Sequence, residues 1–180
     1  MLLSAPDSLL LVIDIQERLL PVMQDGARVV RNTGILLQAA RALELPALIT
    51  EQYPRGLGAT VAAVKTAAGD APVLEKMHFS GWHDPHIRRH VIETGRPQVV
   101  IAGIEAHVCV LQTALGLAEA GRKVAVVTDA ISSRQADSVA VAQQRMAQAG
   151  IAPVTTEMCL FEWLGSAAHP QFKALSALIK

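Results

Sequence analysis

The chain has 180 residues, 51% of them hydrophobic and 18% charged, with sixteen basic residues against sixteen acidic ones. That length suits one domain with a sizeable buried core, and no apolar run approaches the roughly 20 residues that a membrane-crossing helix needs. Zero net charge offers no long-range field to gather nucleic acid or an anionic membrane, so the composition favours a small neutral or weakly charged ligand.

The opening MLLSAPDSLLLVIDIQ has no basic segment ahead of its apolar run and no small-residue cleavage pattern, so it reads as a strand rather than a signal peptide. Leu9 to Ile15 (LLLVIDI) is that strand. Ala27 to Leu45 follows with helical spacing, placing Val29, Thr33, Leu36, Ala40 and Leu43 along one face. Pro46 to Thr50 is a second strand, and Pro72 to Glu75 a weaker third. Asp84 followed by Pro85 then reads as the capped start of a helix. Gln98 to Ile104 (QVVIAGI) is the next strand, with Cys109 expected in the first turn of the helix after it. Lys123 to Ala130 (KVAVVTDA) is a fifth strand. Gln135 to Gly150 is a helix ending at a glycine suited to a C-cap, and Pro153 to Thr156 is a weak last strand.

The strong strands do not alternate polar with apolar residues, which is the pattern of strands buried on both faces of a parallel sheet. Alternation with helices predicts one α/β domain over residues 1–180, a three-layer α/β/α, Rossmann-like arrangement whose mostly parallel six-stranded sheet carries helices on both faces. Ligands in such folds bind beyond the carboxyl ends of the strands. That rule selects Asp14, Glu51 to Gly58, Lys76 to Trp82, Glu105 to Cys109, and Asp129.

Cys109 has two readings. Cysteine is often a small buried apolar residue; at a helix start, however, free amides and the positive helix end lower a thiol pKa from about 8.5 toward roughly 3.5–7.5 and make a nucleophile. Asp14, at the end of a wholly apolar strand, is costly to bury unless paired, and Lys76 in the third strand's exit is a candidate partner. Together they would give the thiol a carboxylate to take its proton and an ammonium to favour the thiolate. Singly, Asp14 is equally well a turn cap and Lys76 a solvated surface lysine.

The segments LLLVIDIQERLLP, EKMHFSGW, GIEAHVCV and VVTDAISSR together resemble the isochorismatase-like cysteine hydrolase superfamily, which includes nicotinamidases and N-carbamoyl-amide hydrolases. TEQYPRGLGATV, GIEAHVC and AAHPQFKALSALIK bring the sequence nearest to the branch of isochorismatase domain-containing proteins. The resemblance implies Asp14 as general base, Lys76 as the charge that orients the thiol and lowers its pKa, and Cys109 as the nucleophile of a thioester intermediate. It also implies a cis peptide bond between Ile104 and Glu105, aiming the Glu105 and Cys109 amides at one point as an oxyanion hole.

Departures from the family narrow the expectation. The nicotinamidase branch holds a metal with an aspartate and two histidines after the second strand, where this sequence has Thr50, Glu51, Gln52 and Tyr53, so neither a metal nor another cofactor is expected. Gln16, Glu51, Tyr53, Phe79, Trp82 and Glu105 are candidate substrate-pocket residues. Glu105 would repel an anion and accept from an amide if it faces the pocket, but is otherwise a contact to a neighbouring loop; Tyr53, Phe79 and Trp82 are an apolar wall, or else ordinary core or subunit contacts. His86 and His90 have a zinc-compatible spacing beside His83, which Asp84 and Pro85 explain without chemistry by capping a helix. His107 is expected exposed or at a subunit contact, Asp129 as a cap, and Cys159 as packing.

These readings converge on a metal-independent cysteine hydrolase of a small amide or related acyl substrate. A catalytically silent binding or assembly protein and a vinyl-ether hydrolase of isochorismate-like compounds are the alternatives. A reducing cytoplasm suits two cysteines with no need of a disulfide. Self-association into a homo-oligomer is expected from the apolar composition and the resemblance.

Overall fold

The computed structural model describes residues 1–180. Strands β1 (Ser8–Ile13), β2 (Ala47–Gln52), β3 (Val73–Lys76), β4 (Gln98–Ile104), β5 (Lys123–Ser132) and β6 (Ala152–Val154) form one all-parallel sheet in the order β3-β2-β1-β4-β5-β6. The main helices are α1 (Gly26–Ala42), α2 (Pro54–Leu57), α3 (Ala62–Ala68), α4 (Pro85–Glu93), α5 (Leu111–Glu119), α6 (Ala136–Gln148), α7 (Thr156–Leu164) and α8 (Phe172–Ser176).

The sheet explains why its strands lack polar alternation. Successive side chains point to opposite faces, and here both faces are covered. Leu10, Val12, Val100 and Ala102 pack with α1, α3 and α7, while Leu9, Leu11, Ile13, Val99 and Ile101 pack with α4, α5 and α6. Each such side chain, fully buried, contributes about 1.5–3 kcal/mol. Cys159 belongs to the first of these layers and is wholly buried.

The strand ends differ from the sequence reading where a side chain replaces the ladder. β1 stops at Ile13, short of Ile15, because Asp14 turns into the left-handed region at φ 51°, a conformation that aspartate tolerates better than most residues. β2 runs on to Gln52, two residues past Thr50. β5 continues through Ser132, since a register shift lets Gly103 pair with Ile131, so Asp129 lies inside the strand instead of ending it. Its Oδ1 accepts from Thr156 N and Oγ1 at the start of α7. Residues Ala106–Val110 form a π-turn before α5, with Val110 N–H donating to the Glu105 carbonyl, so Cys109 precedes the α-helix proper.

One glycine is demanded by the sheet. Gly103 has φ 127°, and a Cβ there would lie 2.1 Å from the Ile13 carbonyl oxygen. Any larger residue would force β1 and β4 apart at their carboxyl ends, which is where the site lies.

Candidate active site

In this strand order the chain moves one way from β1 to β2 and β3, and the other way from β4 to β6. The crevice opens at the switch between β1 and β4. Asp14 follows β1 and Cys109 lies in the π-turn that follows β4, so topology puts them on either side of the crevice. Lys76 is the last residue of the edge strand β3, and its long side chain spans the remaining distance.

Lys76 Nζ lies 2.6 Å from Asp14 Oδ2, with both side chains 0% exposed. Asp14 Oδ1 accepts from Thr50 Oγ1 at 2.7 Å. Lys76 also donates to Gln52 Oε1 at 2.8 Å and to the Phe79 carbonyl at 3.3 Å. The Cys109 thiol is close enough to this pair for the charges of both Asp14 and Lys76 to act on it. The three residues therefore share one neighbourhood, in which Lys76 and Asp14 are in direct contact, and the buried ion pair satisfies the condition that makes such a pair tolerable, since each partner has further hydrogen bonds.

The thiol does not have the depressed pKa expected from its place at a helix start. It is pushed up to about 12, first by burial, with the Asp14 charge adding to the rise and the Lys76 charge opposing it. Desolvation at a residue only 7% exposed outweighs the helix end. At neutral pH the group is a thiol beside a carboxylate.

The other expected pocket residues separate into supports and exposed side chains. Gln16, wholly buried, does not line a pocket: its Nε2 donates to the Gln52 and Gly58 carbonyls and its Oε1 accepts from Gln52 N–H. Glu51 is turned into the loop after β2, where Oε1 accepts from Thr60 N and Oγ1, both at 2.7 Å. Ile104 is buried, and its peptide bond to Glu105 is cis. Glu105 makes the loop contact: Oε2 accepts from Arg134 Nε at 3.0 Å and from Arg134 N at 3.3 Å. His107 is half-buried and joins the same loop through Ser133 Oγ at 2.9 Å.

The expected aromatic wall is divided. Trp82 is half-buried against α5, its ring side contacting Gly116. Tyr53 and Phe79 are 47% and 55% exposed, as is the neighbouring Met77 at 67%, so they leave apolar surface uncovered near the exits of β2 and β3. Tyr53 and Met77 border a groove of about 460 Å³ that also touches Lys76. Asp84 caps α4 by accepting from His86 N and Ile87 N, the non-metal reading of that histidine-rich stretch. The segment after β2 does not suit a cation either, because the Glu51 carboxylate is engaged by Thr60 and the Gln52 oxygen faces an ammonium.

Thr50 and Gln52, which hold Asp14 and Lys76, were not singled out by sequence reasoning, nor were Arg134 and Ser133. The signal for the first two was present in TEQYPRGLGATV: three consecutive polar residues, Thr50, Glu51 and Gln52, close a strand that opens with the apolar Ala47, Leu48 and Ile49.

The isochorismatase domain model matches residues 8–158. Isochorismatase domain-containing protein 2 of Danio rerio is 39% identical over 178 residues, covering 98% of this chain and 89% of its own length. A solved structure described as the MAR1 ribonuclease of Caenorhabditis elegans superposes with a TM-score of 0.94 at 37% identity, covering 99% of this chain and 92% of that one. The YcaC protein of Escherichia coli, described as an octameric hydrolase of unknown specificity, gives 0.93 at 28% identity, covering 99% and 89%. With its all-parallel sheet and this match across most of its length, the chain belongs to the isochorismatase-like hydrolase family.

Proposed function

We propose that the protein is a cysteine hydrolase acting on a small amide or related acyl compound, with Cys109 as nucleophile, Asp14 as base and Lys76 as the charge beside both. The observation that carries this reading is the wholly buried Lys76–Asp14 pair at 2.6 Å, whose two charges act on the one thiol at the strand switch. A buried pair of this kind adds little to stability over apolar packing. Its chemical use is the more economical explanation.

In the first half-reaction the Sγ–H proton passes to Asp14 as sulfur bonds to the substrate carbonyl carbon. Because the resting group is a thiol, attack and proton transfer go together. Backbone N–H groups of Glu105 and Cys109 are the donors assigned to the developing oxyanion. Collapse breaks the C–N bond, and the amine leaves with the proton from Asp14. Water then attacks the thioester, giving its proton to Asp14. The C–S bond breaks, the acid departs, and the proton returns to sulfur. The Lys76 ammonium compensates whichever of Asp14 and sulfur is negative.

A panel of small amides tested against wild type and Cys109→Ser checks the reading, with intact-mass analysis of quenched turnover. The expected result is a covalent acyl adduct on wild type and a loss of about 10²-fold or more in Cys109→Ser. Equal product from both proteins would sink it, and vinyl-ether cleavage surviving Cys109→Ala would favour the alternative hydrolysis. RNA belongs in the same panel, since a relative of this fold is described as a ribonuclease; zero net charge gives no long-range attraction for that polyanion.

Self-association is part of the proposal, in a reducing cytoplasm that suits free Cys109 and Cys159. Its supports are the exposed apolar surface of Tyr53, Met77 and Phe79 and the octamer described for the Escherichia coli relative. Light scattering is expected to give a multiple of 19.2 kDa, and Met77→Glu with Phe79→Glu to give the monomer mass. A wild-type monomer would contradict this part.

A further inference from the structure

Two glutamines, buried to 8% or less, lie beside the ion pair. Gln52, the last residue of β2, is in register with Lys76 on β3. Its Oε1 accepts from Lys76 Nζ at 2.8 Å and its Nε2 donates to the Met77 carbonyl at 2.9 Å. That pair of bonds fixes the amide's orientation, because reversing it would set donor against ammonium and oxygen against oxygen. Its backbone is also held beyond the end of β1. Gln16 Oε1 accepts from Gln52 N–H at 2.8 Å, and Gln16 Nε2 donates to Gln52 C=O at 3.0 Å, the two groups that a further β1 residue would have met.

A lysine ammonium has three protons to place. Here they go to Asp14, Gln52 and, at longer range, Phe79 C=O. On the reading given above, Asp14 becomes neutral each time it takes a proton, and its hold on the ammonium then weakens. Gln52 Oε1, at 2.8 Å against 3.3 Å for the Phe79 carbonyl, is the nearer of the two neutral acceptors that keep their strength through the cycle.

We infer that Gln52 is a positioning residue: it fixes the Lys76 ammonium beside Asp14 and the Cys109 sulfur, and Gln16 fixes Gln52 by serving as a side-chain substitute for the next residue of β1. This rests on the cysteine hydrolase reading. Removing the acceptor releases the ammonium from its place beside the sulfur, and replacing it by a carboxylate adds a negative charge. Both disfavour the thiolate.

The test is the rate at which iodoacetamide labels Cys109 at one mildly alkaline pH, resolved from Cys159 by peptide mass analysis, with a thermal melt of each variant. Gln52→Met is expected to slow labelling about tenfold, the equivalent of one pKa unit. Gln52→Glu, closest in shape, is expected to slow it at least as much, and it alone decides if Gln52→Met does not fold. A purely structural role would lower the melting temperature and leave the labelling rate unchanged or faster, and that result overturns the inference. Lys76→Met separates the two levels. If it slows labelling while the Gln52 variants do not, only the role of Gln52 fails; if it leaves labelling unchanged, the function of Lys76 in the hydrolase reading fails with it.

Discussion

Asp14→Asn is expected to lower turnover by about 10²–10⁴-fold, the usual range for loss of a general base, while making the Cys109 thiol easier to alkylate. The two effects have opposite signs for one reason. The Asp14 charge raises the thiol pKa toward about 12, second only to burial, and Lys76 acts against it. Without that charge the ammonium is left to favour the thiolate, so more of the sulfur is ionised at any given pH. Yet no carboxylate remains to take the proton as sulfur bonds to carbon, or to activate water afterwards. Iodoacetamide labelling across mildly alkaline pH, beside steady-state turnover, reads both effects. Slower labelling in Asp14→Asn would mean that the carboxylate helps form the thiolate at rest, against the charge balance of the site. Unchanged turnover would remove Asp14 from the reaction.

Lys76→Met is expected to lower unfolding free energy by about 3–5 kcal/mol, the cost of leaving one member of a buried pair uncompensated. The pair has 0% side-chain exposure on both partners, so no water replaces the missing ammonium. Thr50 Oγ1 remains as one donor to Asp14 Oδ1, which is too little for a buried charge. The double variant Asp14→Leu with Lys76→Met should recover most of the loss while remaining inactive, because the stranded charge is gone. Urea unfolding of wild type, the two single variants and the double variant forms a cycle that isolates the pair's coupling. Near-additive losses would show that the two residues do not depend on each other, and would weaken the case for a shared function.

Much of the fold was legible because its signal is repeated along the chain. Gln98–Ile104 matched its observed limits, and a sheet covered on both sides leaves every residue of β1 and β4 buried, a pattern readable without knowing any partner. The errors lie at strand ends. β1 was read two residues too long because Ile15 resumes the apolar run after Asp14, whereas the turn at Asp14 is set by its backbone at φ 51°. β5 was read too short because Asp129 resembles a strand exit, and only the register shift against β4 carries the strand past it.

The site divides in the same way. The types and order of Asp14, Lys76 and Cys109 are properties of the sequence, since an acid closing an apolar strand and a cysteine opening a helical segment stand out against their neighbours. The pocket residues were harder to read because a glutamine or glutamate near a strand exit serves a ligand or the backbone equally well in one dimension. Glu51 turns to Thr60, Glu105 to Arg134, and Gln16 to Gln52, through partners 9 to 36 positions away.

By itself, then, the sequence determined a parallel α/β sheet and which three candidate side chains leave its carboxyl edge, because periodicity and burial are local properties of the chain. Tertiary structure decided that Lys76 meets Asp14 across β2, that Gln52 stands between them and the strand end, and that the thiol is raised. Those follow from strand order, register and desolvation, which depend on residues distant in sequence coming within a few ångströms.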